Sequence, residues 1–203
     1  MNNTKKGVIR TAVIAAVFTM TISGVAFASG VNARDGIAIK AGLDFPGKLD
    51  IQKNNDDVTM KMHAGFSGAV EYAFGVNKYF SLGCGLSAQY PHPVNDDING
   101  KLGFVDNYGI ANFIIPAVSE NIDVYSSLQL GLSYPYADIT FRNNFDDSSF
   151  SFDIYWGAAA GVVLYRHYLV ELYYKAHHGE LEKGDDISEF EHRHFGMAVG
   201  YQF

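Results

Sequence analysis

The sequence predicts an all-β fold: an eight-stranded antiparallel up-and-down transmembrane β-barrel, preceded by a cleaved signal peptide. Three observations carry this expectation. The chain opens on a basic and then apolar leader. Beyond the leader, apolar residues alternate with polar or small ones at a period of two, which is the pattern of strands rather than helices. The connections between the alternating runs are short and long by turns.

The leader begins MNNTKKGVIR, with Lys5, Lys6 and Arg10 and no acid, and continues TAVIAAVFTMTISGVAFA, largely apolar and uncharged. It closes on Ala26-Phe27-Ala28, the small-residue pattern of a signal-peptidase site. Cleavage is expected between Ala28 and Ser29, so residues 1–28 read as signal peptide and 29–203 as one barrel domain. A retained anchor is the rival reading, because the stretch approaches spanning length. No cysteine follows the cleavage site closely, so a lipid anchor is not expected.

The mature chain would hold 175 of the 203 residues, and losing three cations moves its formal charge from −7 to −10. An acidic exported chain suits no nucleic-acid partner, which wants a basic patch. The single cysteine, Cys84, excludes an internal disulfide. Charged residues make up 18 %, below the roughly 25 % usual in soluble domains. Past the leader no apolar segment is long enough for a spanning helix.

The strands follow in order. GIAIKAGLDF sets Ile37, Ile39, Ala41, Leu43 and Phe45 against Ala38, Lys40, Gly42 and Asp44. TMKMHAGFSGAVEYAFGV sets Met60, Met62, Ala64, Phe66, Val70, Tyr72 and Phe74 against Lys61, His63, Ser67, Ala69 and Glu71. YFSLGCGLSAQY sets Phe80, Leu82, Cys84, Leu86, Ala88 and Tyr90 against Ser81, Gly83, Gly85, Ser87 and Gln89. A fourth strand is needed near residues 101–115, where the pattern weakens: Asp106 and Asn112 share a parity with Phe104, Tyr108, Ile110 and Ile114. A bulge that switches faces would reconcile them.

The fifth strand, VYSSLQLGLSY, opposes Leu128, Leu130, Leu132 and Tyr134 to Ser127, Gln129, Gly131 and Ser133. The sixth has Phe150, Phe152, Ile154, Trp156, Ala158, Ala160, Val162 and Leu164 on its apolar side. The seventh has Tyr168, Val170, Leu172 and Tyr174 against Glu171, Tyr173, Lys175 and His177. The eighth, FGMAVGYQF, alternates into the last residue, with Phe195, Met197, Val199, Tyr201 and Phe203 on one face.

Short connections are expected at 77–79, 116–121 and 166–167, and long polar loops near 46–57, 91–100, 135–149 and 178–189. Short turns at one end and long loops at the other suit an outer-membrane barrel. Period alone does not say which face points outward, since a soluble ligand-binding barrel also alternates. The polar face decides for lipid: it is mostly Gly, Ser, Ala and Gln, as a narrow eight-stranded interior requires. The apolar face carries Phe45, Phe74, Phe80, Tyr90, Tyr134, Phe150, Tyr168 and Phe203 near strand ends, where aromatic girdles belong.

The terminal FGMAVGYQF resembles the last strand of outer-membrane β-barrel proteins. With the leader and the alternating strands, the mature chain resembles the small eight-stranded family that includes OmpA membrane domains, OmpX and the opacity proteins. The resemblance implies an outer-membrane location, a closed barrel, and reading of Phe195, Met197, Val199, Tyr201 and Phe203 by the barrel-assembly machinery. It also implies the bilayer and lipopolysaccharide as surroundings. The surface ligand stays unnamed.

Inward parity collects Lys40, Lys61, Glu71, Glu171 and Lys175, expected to form a lumen ion-pair network because unpaired charges there are costly. A hairpin centred near Gly184 would set His177 opposite His192 and Lys175 opposite His194, all facing in. Two cross-strand histidines could bind a transition metal. No third ligand has a dictated position, so no metal or other cofactor is expected, and the histidines read as polar residues at the wet end of the lumen.

An eight-stranded interior is filled by side chains, so no open pore is expected. The function expected is structural or surface-interactional, and not enzymatic. The alternatives are a lipid A- or phospholipid-modifying barrel enzyme and a soluble ligand-binding barrel. KAHHGELE superficially resembles the His-containing strand of lipid A deacylases, but Gly179 and Glu180 stand where a nucleophile is wanted, and Ser188 lacks relay spacing. Residues 29–36 are too short for the amphipathic helix that begins acyltransferase barrels.

Overall fold

The computed structural model describes residues 32–53, 56–94, 100–119, 121–139, 149–150, 153–183 and 186–203. The expected signal peptide lies outside them. The strands are β1 (Gly36–Asp44), β2 (Gly47–Lys53), β3 (Asp56–Met62), β4 (Gly65–Asn77), β5 (Phe80–Gln89), β6 (His92–Val94), β7 (Gly100–Ser119), β8 (Ile122–Ile139), β9 (Ser149–Phe150), β10 (Asp153–Leu164), β11 (Tyr168–Lys183) and β12 (Asp186–Gln202). Collinear pairs merge (β1 with β2, β3 with β4, β5 with β6, β9 with β10), so the twelve segments build eight staves.

Neighbouring staves pair antiparallel in chain order, and β1 closes on β12 from Ala38↔Gln202 to Asp44↔Gly196. Closure leaves no unpaired strand edge at the seam, the condition for backbone in hydrocarbon.

The outside of the barrel is an apolar belt. Phe66, Leu130, Leu172 and Phe195 are each more than 60 % exposed, as few large apolar residues would be in water. Aromatic clusters mark the two ends of the belt. Tyr174 lies between Trp156 and Phe195, at 5.2 and 4.9 Å between ring centres. At the end that carries Phe203, Tyr201 meets Tyr168 at 5.7 Å and Phe203 at 4.9 Å. Phe45, Tyr90, Tyr168 and Phe203 are exposed as girdle residues, Phe74, Phe80 and Tyr134 half-buried; the Phe150 side chain lies outside the description.

Above the outer aromatic cluster a polar ladder crosses the surface. Thr59 donates to Asp50 at 2.7 Å, and Arg193 reaches Asp50 at 3.0 Å and Glu191 at 3.4 Å. Glu191 lies 3.1 Å from His178, which accepts from Trp156 Nε1 at 3.5 Å. Charges cannot sit on a lipid face cheaply, so this ladder marks where the belt ends.

Four expectations need correction. First, the regions 46–57 and 178–189 are mostly strand: β2 pairs with β3 and β11 with β12 well beyond the belt, which satisfies backbone groups there. The strands β7 and β8 likewise extend into 116–121 and 135–139. Second, no bulge interrupts residues 100–115. Leu102, Phe104, Asp106, Tyr108, Ile110, Asn112 and Ile114 all face inward in one continuous register.

Third, the apolar face of the first two staves inverts. Below the break at Phe45-Pro46, Asp44 points in; above it, Leu49 does. Below the break at His63-Ala64, Gly65 and Glu71 point in; above it, Met60 and Met62 do. The surroundings change from hydrocarbon to water there, so the apolar side chains change sides, and a break that skips the period is what lets them. Leu49, Met60, Met62, Leu102, Phe104 and Phe190 form an apolar plug at the outer end. Fourth, and for the same reason, Lys61 is exposed outside the barrel and not in the lumen.

Candidate functional site

Among the described residues, the lumen gathers the buried chemistry-bearing side chains, and they stand in three storeys. The lowest starts before β1. Asn32 donates its amide to the Asn77 and Phe80 carbonyls, which pins the segment under the barrel. Arg34 then enters the lumen, where its guanidinium reaches Glu71 at 2.7 Å and Gln202 Oε1 at 3.0 Å and covers the Tyr125 ring at 4.8 Å. Tyr125 belongs to an apolar cluster at this level with Ala38, Ile114, Val163 and Leu169.

The middle storey is the expected ion-pair network, rearranged. Lys40 Nζ bridges Glu71 at 2.8 Å and Glu171 at 2.9 Å. The remaining carboxylate capacity is taken by phenols and an amide. Tyr108 donates to Glu71 at 3.0 Å, Tyr125 to Glu171 at 2.6 Å, and Gln129 to Glu71 at 3.4 Å, itself bonded by Tyr155. Buried charges survive only when paired and hydrogen-bonded, and each of these is both. A cavity of about 20 Å³ remains here, room for about one water.

Tyrosines fill this width because small residues stand opposite them. A Cβ added at Gly85 would lie 2.6 Å from Tyr108, and one at Gly196 2.3 Å from Tyr173. Gly85 and Gly196 are therefore seats for phenol rings.

In the upper storey, two carboxylates tie strands together: Asp106 reaches three other strands and Asp44 four. Asp106 accepts from Ser87 at 2.7 Å and Ser133 at 2.6 Å, and stands 3.1 Å from His177 Nε2 and 3.8 Å from Lys175. Asp44 accepts from Tyr173, from Ser67 at 3.2 Å and Gln89 at 3.1 Å, with His194 Nε2 at 3.3 Å. Asp153 is fully buried nearby with both oxygens unbonded among the described residues.

The histidines meet as the register requires: His177 faces His192, and Lys175 faces His194. Lys175 turns toward Asp106 and Ser87, and His194 joins the other two. All three rings are buried, and each offers a ring nitrogen within 4.8 Å of the others. Phe104 stacks on His177 at 4.1 Å and His192 at 5.1 Å, closing the storey beneath the apolar plug.

Of the residues expected in the lumen, the structure brings together Lys40, Glu71 and Glu171 in one group and Lys175, His177, His192 and His194 in another. Lys61 joins neither. Arg34, Asp44, Asp106 and Asp153 were not expected as site residues. Asp44 sits on the inward parity of β1 and was available to parity reasoning; Arg34 precedes every periodic run and carries no such signal. Phe195, Met197, Val199, Tyr201 and Phe203 all face outward, the last 69 % exposed.

A closed barrel with an apolar belt, a filled polar lumen and short turns at the end carrying Phe203 defines the outer-membrane class of β-barrel. No family model matches the sequence, and no curated protein does either. Solved structures do share the fold. The Neisserial surface protein A is 14 % identical, with 83 % of this chain and 98 % of that chain covered at a TM-score of 0.51. The outer membrane protein OprG from Pseudomonas aeruginosa is 11 % identical, with 84 % and 97 % covered at 0.53. At such identities the likeness is one of fold.

Proposed function

We propose that the chain is a non-conducting outer-membrane barrel with a structural and surface-contact role, exported by residues 1–28 and surrounded by phospholipid and lipopolysaccharide. The observation that supports it is the contrast between an apolar exterior and a lumen filled from Arg34 through Lys40 to Phe104. Contact with the exterior falls to the hairpins β2–β3 and β11–β12, which extend beyond the belt.

A lipid-modifying activity is disfavoured by where the hydroxyls point. Ser67, Ser87 and Ser133 donate to Asp44 and Asp106, whereas a relay needs its nucleophile bonded to the base. On the outer surface, His178 belongs to the polar ladder above the belt, its Nε2 3.1 Å from Glu191 and 3.5 Å from Trp156 Nε1. The test is to refold the barrel into vesicles, measure single-channel conductance, and incubate it with lipid A and phospholipid. Neither conductance nor acyl-chain release or transfer is expected. Acyl release abolished by His178→Ala would replace this reading with the enzymatic one.

A further inference from the structure

The upper storey of the lumen has a composition that ion pairing within the barrel does not complete. Among the described residues it holds two buried, hydrogen-bonded carboxylates, Asp44 and Asp106, a third buried carboxyl without a partner, Asp153, and one fixed cation, Lys175. Beside them lie three imidazoles with a ring nitrogen each inside a 4.8 Å circle. The Nδ1 atoms of His177 and His194 are buried without a hydrogen-bond partner, while the Nε2 atom of each ring addresses a carboxylate. A carboxylate behind a histidine, with the other nitrogen left bare, is the arrangement by which proteins orient imidazole toward a metal.

We infer that His177, His192 and His194 form a binding site for one divalent transition-metal ion of the zinc or copper class. Imidazole donors with no thiolate select these ions over calcium or magnesium. Asp106 orients His177 and Asp44 orients His194, and both lower the cost of placing two positive charges in the lumen. Lys175 opposes the ion but is already drawn toward Asp106 and Ser87. The rings lie nearly parallel, within 8–23° of one another, at 4.9–6.1 Å between centres. Metal–nitrogen bonds of about 2.0–2.1 Å therefore require the rings to turn and nitrogens 4.8 Å apart to draw together by roughly 1.5 Å. The apolar plug of Phe104, Phe190, Leu49 and Met62 covers the site from the outer end, so the ion enters during folding or when that plug opens.

The experiment uses the full mature chain refolded in detergent with Zn²⁺ or Cu²⁺ present during folding, and separately with the ion added afterwards. After gel filtration, metal content is measured alongside heat-modifiable gel mobility. About one retained equivalent is expected when the ion is present during folding. His192→Ala and the triple His177→Ala/His192→Ala/His194→Ala variant should lose it, while His178→Ala, outside the lumen, keeps it. Asp106→Asn should weaken affinity by about 10–100-fold, as removal of an orienting partner does. Should the histidine variants not fold, the wild-type Cu²⁺ spectrum still decides, because three coupled nitrogens are expected in electron paramagnetic resonance. Less than a tenth of an equivalent in wild type under both regimes, unchanged content in the folded triple variant, or a single-nitrogen copper signal overturns the proposal.

Discussion

Arg34 and Glu71, 37 positions apart in the chain, meet at 2.7 Å inside the barrel with each side chain 1 % exposed. The pair ties a segment outside the strands to the second stave and stops the lumen at the end that carries Phe203. Arg34→Gln leaves Glu71 with Lys40 as its cation and with the bonds from Tyr108 and Gln129. Loss of one partner of a buried pair costs about 3–5 kcal/mol, and the surviving Lys40 contact should hold the loss to about 2–3 kcal/mol. Urea unfolding of the vesicle-inserted barrel, followed by Trp156 fluorescence, measures it; an unchanged midpoint would remove Arg34 from the lumen.

Leu130 stands on the lipid side, 67 % exposed. Leu130→Arg should destabilise the inserted barrel by about 2–4 kcal/mol, the cost of a cation near the bilayer middle. Glu189→Arg, exposed beyond the belt on β12, should stay within about 0.5 kcal/mol. Folding titrations that rank the two substitutions in reverse would contradict insertion in this orientation.

Gly196 seats the Tyr173 ring, which in turn bonds Asp44. Gly196→Ala places a methyl where the ring lies and should cost about 1–3 kcal/mol, as overpacking does. Gly196→Ala combined with Tyr173→Phe tests the cause differently from Tyr173→Ala. Only the latter should recover stability relative to Gly196→Ala, because only it vacates the space. Equal recovery in both would point to the Asp44 bond instead.

Asp50, on the outer hairpin, has its carboxyl held below the usual range by the bond from Thr59 and by Arg193. A carboxyl lowered in the folded state adds stability above its unfolded value and loses it as pH falls. Docking of β2 on β12 should therefore loosen below about pH 4: the Ile51 amide should be better protected in wild type than in Asp50→Asn at neutral pH, and that difference should vanish in acid. Because the groups are substantially exposed, added salt should weaken the effect. A protection factor, corrected for intrinsic exchange, that does not change from about pH 3 to 7 would show that the Thr59 and Arg193 contacts of Asp50 contribute nothing.

Phe203 donates its backbone N–H to Ile37 at 2.9 Å while its ring faces lipid. Phe203→Asp should leave refolding in detergent intact, since the strand bonds are made by backbone. Insertion in cells should slow, read as reduced protease accessibility at the surface. Equal assembly of wild type and variant would remove a targeting role for the last residue.

Strand parity was legible wherever one side of a strand meets lipid and the other meets small lumen residues, as in β1, β5, β8 and β12. It failed at β7 because inward does not mean polar: Tyr108 rests against Gly85, so bulk on one stave is matched by its absence on the next. Hydrophobicity along a single strand does not contain that partner. Lys61 failed for another reason, since parity was read through a change of surroundings that the sequence marks only by Pro46 and the His63-Ala64 step. The His177↔His192 register was readable from a turn near Gly184. The role of His194 was not, because it depends on which way Lys175 turns.

The inversion at Phe45-Pro46 and His63-Ala64 means that the two ends of the barrel answer to different thermodynamics. The outer plug of Leu49, Met60, Met62, Leu102, Phe104 and Phe190 is buried away from water, so opening it exposes apolar surface and raises the heat capacity. The belt below gains nothing of that kind by staying folded within lipid, and its cohesion rests on closed backbone bonds and packing. Cooling or urea should therefore loosen the mouth as a separate cooperative unit while the ring in the bilayer holds. Such a mouth would breathe in the cold, with the histidines directly beneath it.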